Sequence, residues 1–458
     1  MIDLSHYKNI HCIGIGGIGL SAIAEILLSR GYNVTGSDMK ESDMTANLAG
    51  KGARIFIGHR AENVADADLI VYSAAVGRDN PELKEAEEKR IPAITRAEML
   101  GVLMDEYKNS IAISGTHGKT TTTSMVSLIL DNAKTDPTIL VGGNLAEIGG
   151  NVKVGQGEYF VTEACEYMDS FLNLRPKIEI ILNIDSDHLD YFKDIDHIVS
   201  SFDKFAHLVP GSGTIIAYDA NPFVNQVIRD LDNVVTFGLS ENCDYYAANI
   251  KFNEDGMPSF DVCHDGKLLS RVQLAVPGEH NILNALAAFT CACVLGVEPA
   301  LTKETLEAYH GTQRRFDLVG TTARGVKIVD DYAHHPTEIK ATLSASENVP
   351  HNKLWCIFQP HTYTRTIALF DEFADAFEKA DHLILAEIYA AREKNIYKIS
   401  SAQLVEKIKE THPDKDVLFM EDFAAIADYV DSQAQRGDMV ITMGAGDIYK
   451  VGEMLLEK

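Results

Sequence analysis

A glycine-containing turn between a strand and a helix constrains this 458-residue chain more than any other feature. The segment 111–123 reads IAISGTHGKTTTT: a β-branched run, then Gly115 and Gly118, then Lys119 and Thr120 at the start of a helical pattern. In such an arrangement, backbone N–H groups surround phosphate groups, the lysine neutralises their charge, and the threonine hydroxyl can ligate Mg²⁺. The segment predicts a nucleotide triphosphate site. Because only two residues separate the glycines, an ordinary turn before a helix stays open as the alternative.

Composition argues against several classes of protein. The net charge is −26, which disfavours nucleic acid or an anionic membrane surface as a partner. The seven cysteines show no paired spacing, as is typical of a reduced, cytoplasmic protein. No apolar run approaches the length of about 18 residues that a membrane span needs. We therefore expect a cytoplasmic protein that binds neither nucleic acid nor a membrane. We also expect small-molecule substrates and a monomer or weak homodimer.

A second glycine turn lies near the N-terminus. An apolar strand at Asn9–Ile15 leads into Gly14, Gly16 and Gly19, which have the G-x-G-x-x-G spacing, and Asp38 follows the next strand. This is the pattern of a βαβ unit that binds a pyrophosphate at the helix N-terminus. A tight turn without a ligand is the alternative.

The whole chain alternates between strand and helix patterns, which predicts an α/β fold with mostly parallel sheets. Polar breaks at 106–109 and 311–316 suggest three domains, at residues 1–107, 108–312 and 313–458. We expect a Rossmann-like first domain, a central ATPase domain of the P-loop type, and a Rossmann-like third domain. The predicted strands are Asn9–Ile15, Tyr32–Thr35, Arg54–Ile57, Leu69–Ser73, Ile111–Ser114, Thr138–Val141, Tyr159–Thr162, Glu179–Asn183, Val326–Asp330, Leu354–Phe358, His382–Leu385 and Met439–Thr442.

Polar clusters follow several of these strands. The segments 162–170 and 183–190 are rich in carboxylates, and such groups can complete a Mg²⁺ shell beside a phosphate loop. The segments 330–338 and 358–365 bring histidine and arginine, which suit binding of a carboxylate or phosphate. The alternatives are solvated loops for the acidic clusters and helix capping for His334 and His335.

Together these motifs resemble the Mur ligases, ATP-dependent amide-forming enzymes of peptidoglycan precursor synthesis. The resemblance extends over essentially the whole chain, and GTHGKTTTT, DDYAHHPTE and FQPHTYTR are its most specific motifs. It implies that L-alanine is joined to the lactyl carboxylate of UDP-N-acetylmuramate through an acyl phosphate and a tetrahedral intermediate. ATP and Mg²⁺ would be required, and UDP-N-acetylmuramoyl-L-alanine, ADP and phosphate would be formed.

The resemblance also implies a role for individual residues. The UDP-sugar would be held by Gly16, Gly17, Ile18, Gly19, Asp38, Ser73 and Arg96. ATP would be held by Gly115, Thr116, His117, Gly118, Lys119, Thr120, Thr121, His280, Asn284, Arg315 and Asp331. The metal ligands would be Thr120, Glu166 and His188, with Glu163 less favoured. The amino-acid site would comprise Tyr332, His334, His335 and Arg365. The catalytic residues would be Lys119, Glu166, His188, His335 and Arg365. The amine base would be His335 or a bound carboxylate.

Some residues depart from the family pattern, and other functions stay open. Cys165 stands where many relatives have an acid, and His361-Thr-Tyr-Thr-Arg365 has one arginine fewer than the common H-R-F-T-R. Lys204 lies at roughly the distance from His188 at which some members carry a carbamoylated lysine, but the local match is poor. The alternatives are a ligase that recycles a preformed tripeptide, an NAD-dependent oxidoreductase built on the first glycine turn, and an inactive nucleotide-binding regulator.

Overall fold

The computed structural model describes residues 2–189, 191–391 and 393–458. Internal contacts divide the chain into two compact units. The first unit contains Met1–Gly115, Thr122–Asn183 and Val199–Val235. The second unit contains Thr116–Thr121, Ile184–Ile198 and Thr236–Lys458. Asp190, which belongs to the predicted acidic cluster 183–190, lies outside the described residues.

The first unit begins with a five-stranded sheet. Its strands are β1 (Asn9–Ile13), β2 (Asn33–Asp38), β3 (Arg54–Ile57), β4 (Leu69–Tyr72) and β5 (Ala93–Thr95). They pair in the order β3-β2-β1-β4-β5, and every pair is parallel. The accompanying helices are α1 (Ile18–Ser29), α2 (Asp43–Gly50), α3 (Pro81–Lys89) and α4 (Arg96–Met104). This strand order is the Rossmann order and confirms the predicted fold of the N-terminal part.

A second sheet completes the first unit. The strands of this region are β6 (Asn109–Ser114), β7 (Thr138–Leu145), β8 (Gly150–Lys153), β9 (Tyr159–Glu163), β10 (Ile178–Ile181), β11 (Thr214–Tyr218) and β12 (Val234–Gly238). Six of them pair in the order β11-β10-β6-β9-β7-β8, and β8 alone among these six is antiparallel to its neighbour. The helices are α5 (Lys119–Asn132), α6 (Ile195–Ala206) and α7 (Pro222–Ile228). Ile111, Ala112 and Ile113 of β6 are fully buried, as is usual for a parallel strand that helices cover on both faces.

The second unit contains an antiparallel group that the sequence analysis did not predict. Its strands are β13 (Tyr245–Phe252), β14 (Pro258–His264) and β15 (Lys267–Gln273), followed by α8 (Glu279–Val294) and α9 (Pro299–Glu307). Asp265 and Gly266 connect β14 to β15 with φ angles of 49° and 69°. Two successive positive φ angles are those of a type I′ hairpin turn, for which Asp-Gly is a preferred sequence. The Asp-Gly pair was therefore the overlooked signal for this hairpin.

The C-terminal part of the second unit is a six-stranded sheet. Its strands are β16 (Asp317–Thr321), β17 (Lys327–Asp331), β18 (Leu354–Phe358), β19 (His382–Leu385), β20 (Asp416–Phe419) and β21 (Met439–Met443). The order is β16-β17-β21-β18-β19-β20, with β16 antiparallel to β17 and the other pairs parallel. The helices are α10 (Pro336–Ser346), α11 (Tyr363–Ala368), α12 (Phe370–Ala374), α13 (Ser401–Thr411), α14 (Phe423–Gln433) and α15 (Tyr449–Leu456). Separate apolar cores, centred on Phe358 and Trp355, cover the two faces of the sheet.

Short 3₁₀-helices occur at Leu4–His6, Ala61–Val64, Ala146–Ile148 and Tyr167–Asn173. The last of these packs against α4 within the first unit, and Gly101 of α4 lies at the contact. A Cβ atom at Gly101 would lie only 2.1 Å from the carbonyl oxygen of Asn173, far inside the van der Waals distance. Only glycine therefore allows the two helices to approach so closely.

None of the helices in the described part of the chain is both long enough and apolar enough to cross a membrane.

Candidate active site

The phosphate loop has the backbone that its glycines predict. Gly115 and Gly118 have φ angles of +134° and +85°, a region that favours glycine over residues with a side chain. Lys119 is the first residue of α5, and its Nζ donates a hydrogen bond to the carbonyl oxygen of Thr116 at 3.1 Å. Thr120 is buried in the first turn of the same helix. The ammonium group and the helix N-terminus thus lie at the same turn, which favours bound anions.

Within the second unit, the side chain of His117 in this loop is paired with two carboxylates. Its Nδ1 lies 3.2 Å from Oε1 of Glu338, and its Nε2 lies 3.4 Å from Oδ2 of Asp185. Burial acts to lower the pKa of His117, but the interactions with Asp185 and Glu338 outweigh it and raise the pKa to about 9. His117 is therefore an imidazolium at neutral pH, held between two carboxylates.

Asp185 connects the same loop to α10 through two further hydrogen bonds. Its backbone N–H donates to Oγ1 of Thr116 at 2.9 Å, and Oγ1 of Thr337 donates to its carboxylate at 2.9 Å. The interaction with His117 is the main reason that the pKa of Asp185 lies well below its usual range. An ionised Asp185 thus links the phosphate loop to the first turn of α10.

His335 does not fit the predicted role of amine base. It is the N-cap of α10, and its Nδ1 accepts a hydrogen bond from the backbone N–H of Thr337 at 3.2 Å. Its Nε2 lies 2.8 Å from the carbonyl oxygen of Ser186, which can only accept, so Nε2 carries the proton. Burial also lowers the pKa of His335. Because both ring nitrogens are engaged, the structure favours the capping alternative over the base.

The ligand atoms of His117, Asp185 and His335 lie within 4.8 Å of one another, a distance compatible with a metal site. The hydrogen bonds argue against that use. In this structure Nδ1 of His117 is paired with Glu338 and Nε2 of His335 donates to Ser186, so both imidazoles already have protein partners. We interpret the group as a hydrogen-bonded cluster.

His334 is a half-buried, neutral histidine of the predicted amino-acid site. Its Nδ1 donates to the carbonyl oxygen of Tyr332 at 3.0 Å, and its backbone N–H donates to Glu338 at 3.1 Å. Burial lowers the pKa of His334 to about 3. At neutral pH this residue can therefore donate or accept a hydrogen bond but carries no charge.

The side chain of Asp331 stabilises the turn that contains Tyr332. Its carboxylate accepts hydrogen bonds from the backbone N–H groups of Phe316 and Ala333, both at 2.7 Å. Burial raises the pKa of Asp331 to about 6, although the charge of Arg315 opposes this shift. The guanidinium of Arg315 lies over the ring of Tyr332, 5.2 Å from its centre. The structure thus brings together Arg315 and Asp331, predicted for ATP, and Tyr332, predicted for the amino-acid site.

Arg365 pairs with a residue that was not singled out from the sequence. Its Nε and Nη2 donate to Oδ1 of Asp187 at 3.1 and 3.0 Å, and both side chains are largely buried. The neighbouring His188 has a φ angle of +53°, which is unusual for a residue with a side chain. Its backbone N–H donates to Asp187 at 2.6 Å, so the same carboxylate fixes this turn and Arg365.

His280 and Asn284 lie in the first turns of α8. Burial, with a smaller effect of Arg315, lowers the pKa of His280 to about 4, so the imidazole is neutral. The side-chain amide of Asn284 donates to Oδ1 of Asn281 at 3.1 Å, and Asn281 donates to the carbonyl oxygen of Pro277 at 2.7 Å. Asn281 is therefore part of this group, which the sequence analysis missed because it singled out only the two outer residues of HNILN.

In the first unit, hydrogen bonds connect the N-terminal glycine turn to the end of β2. The backbone N–H groups of Gly14 and Ile15 donate to the carbonyl oxygen of Ser37 at 2.8 and 3.1 Å. The N–H of Gly16 donates to Oδ2 of Asp38 at 2.9 Å. Asp38 was predicted to hold the UDP-sugar. In this structure, one of its carboxylate oxygens accepts the hydrogen bond that stabilises the glycine turn.

The other residues predicted for the UDP-sugar lie around the same turn. Gly17 is the N-cap of α1, and Ile18 and Gly19 are its first two residues. A Cβ atom at Gly19 would lie 3.1 Å from Cδ of Arg96, so the arginine side chain lies directly against this glycine. Ser73 similarly lies beside the first glycine of the turn. A helix N-terminus with an adjacent guanidinium is suited to a diphosphate.

A cavity of about 320 Å³ extends from this turn. Its lining includes Gly19 and Arg96 at one side and Glu163 and Cys165, at the end of β9, at the other. Glu163 accepts a hydrogen bond from the backbone N–H of Gly142 at 2.5 Å, so one of its oxygens is engaged within the sheet. This contact agrees with its lower rank among the predicted metal ligands.

The remaining predicted metal ligands are divided between the units. Glu166 is buried and belongs to the first unit, whereas Thr120 and His188 belong to the second. Lys204 is exposed on α6, so nothing in its surroundings supports carbamoylation. The composition of the metal shell stays a prediction.

Comparison with known proteins decides the family. Residues 9–108 match the profile described as "Mur ligase family, catalytic domain", residues 113–292 the "Mur ligase middle domain", and residues 314–446 the "Mur ligase, glutamate ligase domain".

The chain belongs to the Mur ligase family.

Individual Mur ligases extend this result. The chain is 52% identical to the UDP-N-acetylmuramate–L-alanine ligase of Alkaliphilus metalliredigens, over 99% of this chain and 98% of the relative. The crystal structure of the UDP-N-acetylmuramate–alanine ligase of Thermotoga maritima matches with a TM-score of 0.83 and 31% identity, covering 99% of both chains. A murein peptide ligase from Psychrobacter arcticus matches with a TM-score of 0.74 and 25% identity, covering 98% of both chains.

Three acidic residues of this Mur ligase carry contacts that the sequence analysis did not assign: Asp185, Asp187 and Glu338. The two aspartates belong to the acidic cluster at 183–190. Sequence alone does not show which carboxylate pairs with which arginine or histidine. Glu338 had one usable signal, because it lies three residues after the N-cap, where acidic side chains commonly reach back to the start of a helix.

Proposed function

We propose that this Mur ligase joins L-alanine to the lactyl carboxylate of UDP-N-acetylmuramate at the expense of ATP. The observation that carries the proposal is 52% identity, along nearly the whole of both chains, with a relative named for this reaction. The phosphate loop, with Lys119 at its helix and His117 held by two carboxylates, fits an enzyme that handles ATP.

The chemistry accounts for the need for ATP, because a carboxylate is a poor electrophile. A lactyl oxygen attacks the γ-phosphorus of ATP, ADP leaves, and an acyl phosphate forms. The amine of L-alanine attacks the acyl carbon, and the tetrahedral intermediate expels inorganic phosphate to leave the amide. Lys119 would neutralise charge on the transferred group, and positioning with charge neutralisation supplies most of the rate enhancement in such transfers.

Mg²⁺ is the metal that phosphoryl transfer of this kind implies, and when bound it neutralises charge on the phosphate oxygens. Thr120 fits such a site, because its hydroxyl is an oxygen donor, the class that Mg²⁺ prefers, and it lies buried at the phosphate-binding helix N-terminus. We retain Glu166 and His188 as the other proposed ligands on the strength of the sequence motifs.

We further propose a division of substrates along the chain. Residues 1–107 would bind the UDP-sugar, residues 108–312 would bind ATP, and residues 313–458 would bind the amino acid and complete the ATP site. The guanidinium of Arg96 beside the N-terminus of α1 supports the first assignment. The neutral His334 and the largely buried Arg365 are suited to orient an amino acid in the last.

The alternatives are less well supported. The murein peptide ligase has a lower TM-score and identity than the alanine ligase, 0.74 and 25% against 0.83 and 31%. An NAD-dependent oxidoreductase would leave the phosphate loop and the acidic clusters at 162–170 and 183–190 without a function.

The test is phosphate release by the purified protein with ATP, Mg²⁺ and UDP-N-acetylmuramate, with L-alanine added, omitted, or replaced by the tripeptide. Release should require both the UDP-sugar and L-alanine. Lys119→Ala should lower turnover by about 10²–10³, the usual effect of losing one charge-stabilising group, whereas the exposed Lys409→Ala should match the wild type. Activity with the tripeptide alone would assign the protein to the recycling branch, and no release under any condition would refute the ligase.

A further inference from the structure

A fully buried carboxylate lies beneath the N-terminal glycine turn, and no part of the proposed mechanism uses it. Glu82 is the second residue of α3, directly after Pro81, and its exposed fraction is 0%. Burying a carboxylate is costly unless other groups satisfy it. Its location in the Rossmann-like part of the first unit therefore calls for an explanation.

Glu82 is satisfied by side chains from three different segments. Its Oε2 accepts a hydrogen bond from Oγ of Ser37 at 2.6 Å, and its Oε1 accepts one from Nδ2 of Asn63 at 2.5 Å. Nδ1 of His59 lies 3.1 Å from Oε2, and Nε2 of His11 lies 3.7 Å from Oε1. The carboxylate thus joins β1, the end of β2 and the 3₁₀-helix Ala61–Val64 to the start of α3.

The network keeps Glu82 ionised. Burial acts to raise the pKa of Glu82, but the interaction with His11 and the hydrogen bonds from Ser37 and Asn63 outweigh it and lower the pKa to about 2. Hydrogen bonds to a charged partner are stronger than hydrogen bonds between neutral groups. The hydroxyl of Ser37 is therefore held firmly in one position.

Ser37 is the residue through which this network reaches the glycine turn. Its carbonyl oxygen accepts the hydrogen bonds from Gly14 and Ile15 described above, and the next residue, Asp38, accepts the one from Gly16. The glycine turn leads directly into α1 and so fixes the position of its N-terminus. The first N–H groups of that helix have no carbonyl partner within the helix. The contacts therefore run without interruption from Glu82 to the proposed diphosphate site.

We propose that Glu82 is a positioning residue for the diphosphate of the UDP-sugar, which it serves by fixing Ser37 and hence the glycine turn. The inference rests on the proposed function, since it assumes that this turn binds the UDP-sugar. Glu82 touches no substrate itself. Its loss should therefore weaken binding of one substrate and leave the chemistry on the others largely intact.

The experiment compares Glu82→Gln with Glu88→Gln, an exposed glutamate on the same helix. We measure kcat, KM for each of the three substrates, and the midpoint of thermal unfolding. Glu82→Gln should raise KM for the UDP-sugar by about tenfold, which corresponds to the loss of about one charged hydrogen bond. KM for ATP and L-alanine should change less than about twofold, and Glu88→Gln should match the wild type.

Two results would overturn the proposal. One is an unchanged KM for the UDP-sugar in Glu82→Gln, and the other is a parallel rise in all three KM values, which would indicate a structural role only. If Glu82→Gln fails to fold, Ser37→Ala removes the hydroxyl that Glu82 binds and is judged by the same values. If the wild type itself shows no ligase activity, the proposed function fails instead, and calorimetry with UDP alone then tests whether Glu82→Gln weakens nucleotide binding.

Discussion

Nδ1 of His117 lies 3.2 Å from Oε1 of Glu338, so the phosphate loop is paired with the first turn of α10 in the second unit. His117 and Glu338 are 221 positions apart, so no local sequence pattern relates them. The pairing gives the phosphate loop a direct electrostatic connection to the segment that carries the proposed amino-acid site. It also gives His117 a charge that an isolated histidine would not carry at neutral pH.

We expect the removal of this partner to change the pH dependence of stability. The pKa of His117 is raised from 6.5 to about 9, so its stabilising effect is fully present below pH 6.5 and is lost as the pH rises towards 9. In Glu338→Gln, the pKa should fall back towards 6.5, and about 1–2 kcal/mol of this pH-dependent stability should disappear. Urea unfolding midpoints between pH 6.5 and 9 measure the effect, with exposed Glu406→Gln as the control. Equal pH dependence in Glu338→Gln and the wild type would contradict the pairing.

Replacement of His335 should affect the helix and not proton transfer. His335→Ala removes the N-cap of α10 and should lower stability by about 1 kcal/mol, whereas His335→Ser retains a capping oxygen. Both variants should keep the wild-type shape of the pH profile of kcat/KM. The exposed His310→Ser provides the control. A folded His335→Ser protein with turnover reduced by about 10² or more would restore His335 as a base.

Asp187→Asn should destabilise the second unit, because Arg365 would remain largely buried without its charged partner. Breaking a buried ion pair from one side costs roughly 3 kcal/mol. The loss should appear as a lower urea midpoint at every pH between 6 and 8. Asp414→Asn, on an exposed aspartate of the same unit, should have no measurable effect. An Asp187→Asn midpoint equal to that of the control would show that the ion pair contributes nothing to stability.

Glu179→Gln should stabilise the protein at neutral pH. Glu179 is fully buried in β10, where it accepts a hydrogen bond from Oγ of Ser114 at 2.9 Å, and burial raises its pKa to about 8. The folded state therefore keeps a proton that the unfolded state releases above pH 4.5, so stability falls as the pH rises from 4.5 to 8. Glutamine removes this penalty, which is about 3 kcal/mol at pH 7.

The measurement for Glu179 is the difference in unfolding free energy between variant and wild type at pH 5 and at pH 7.5. The gain should be small at pH 5 and large at pH 7.5. Exposed Glu87→Gln should show no such difference. A gain that does not depend on pH would mean that Glu179 is ionised in the folded protein.

Much of the α/β framework follows from the sequence. Arg54–Ile57, Leu354–Phe358 and His382–Leu385 were predicted with the bounds that the structure has, because each is a short apolar run between polar residues. The three antiparallel strands β13–β15 were missed. In β14, polar and apolar residues alternate at positions 259–262 (Ser-Phe-Asp-Val), a short signal that was overlooked, whereas β15 is mostly exposed and shows no clear two-residue period.

The site shows a similar division. Local motifs predicted the backbone of the phosphate loop and of the N-terminal glycine turn, because strand-to-helix turns place neighbouring residues together. They did not predict that His117 meets Glu338 or that Arg365 meets Asp187, because such pairs depend on how distant segments pack. Nor did they separate a capping histidine from a base, since that choice depends on which atoms surround each ring nitrogen.

The contact between Gly101 and the carbonyl of Asn173 has a consequence for the tolerance of this chain to random mutation. Most positions on a surface-packed helix accept several residues, and glycine within a helix is ordinarily improved by alanine. At Gly101 even one methyl group would collide with backbone that cannot rotate away. A saturation library scored by growth or yield would therefore leave this codon essentially unvaried, and an alanine scan would class it among the intolerant positions because of a backbone contact alone.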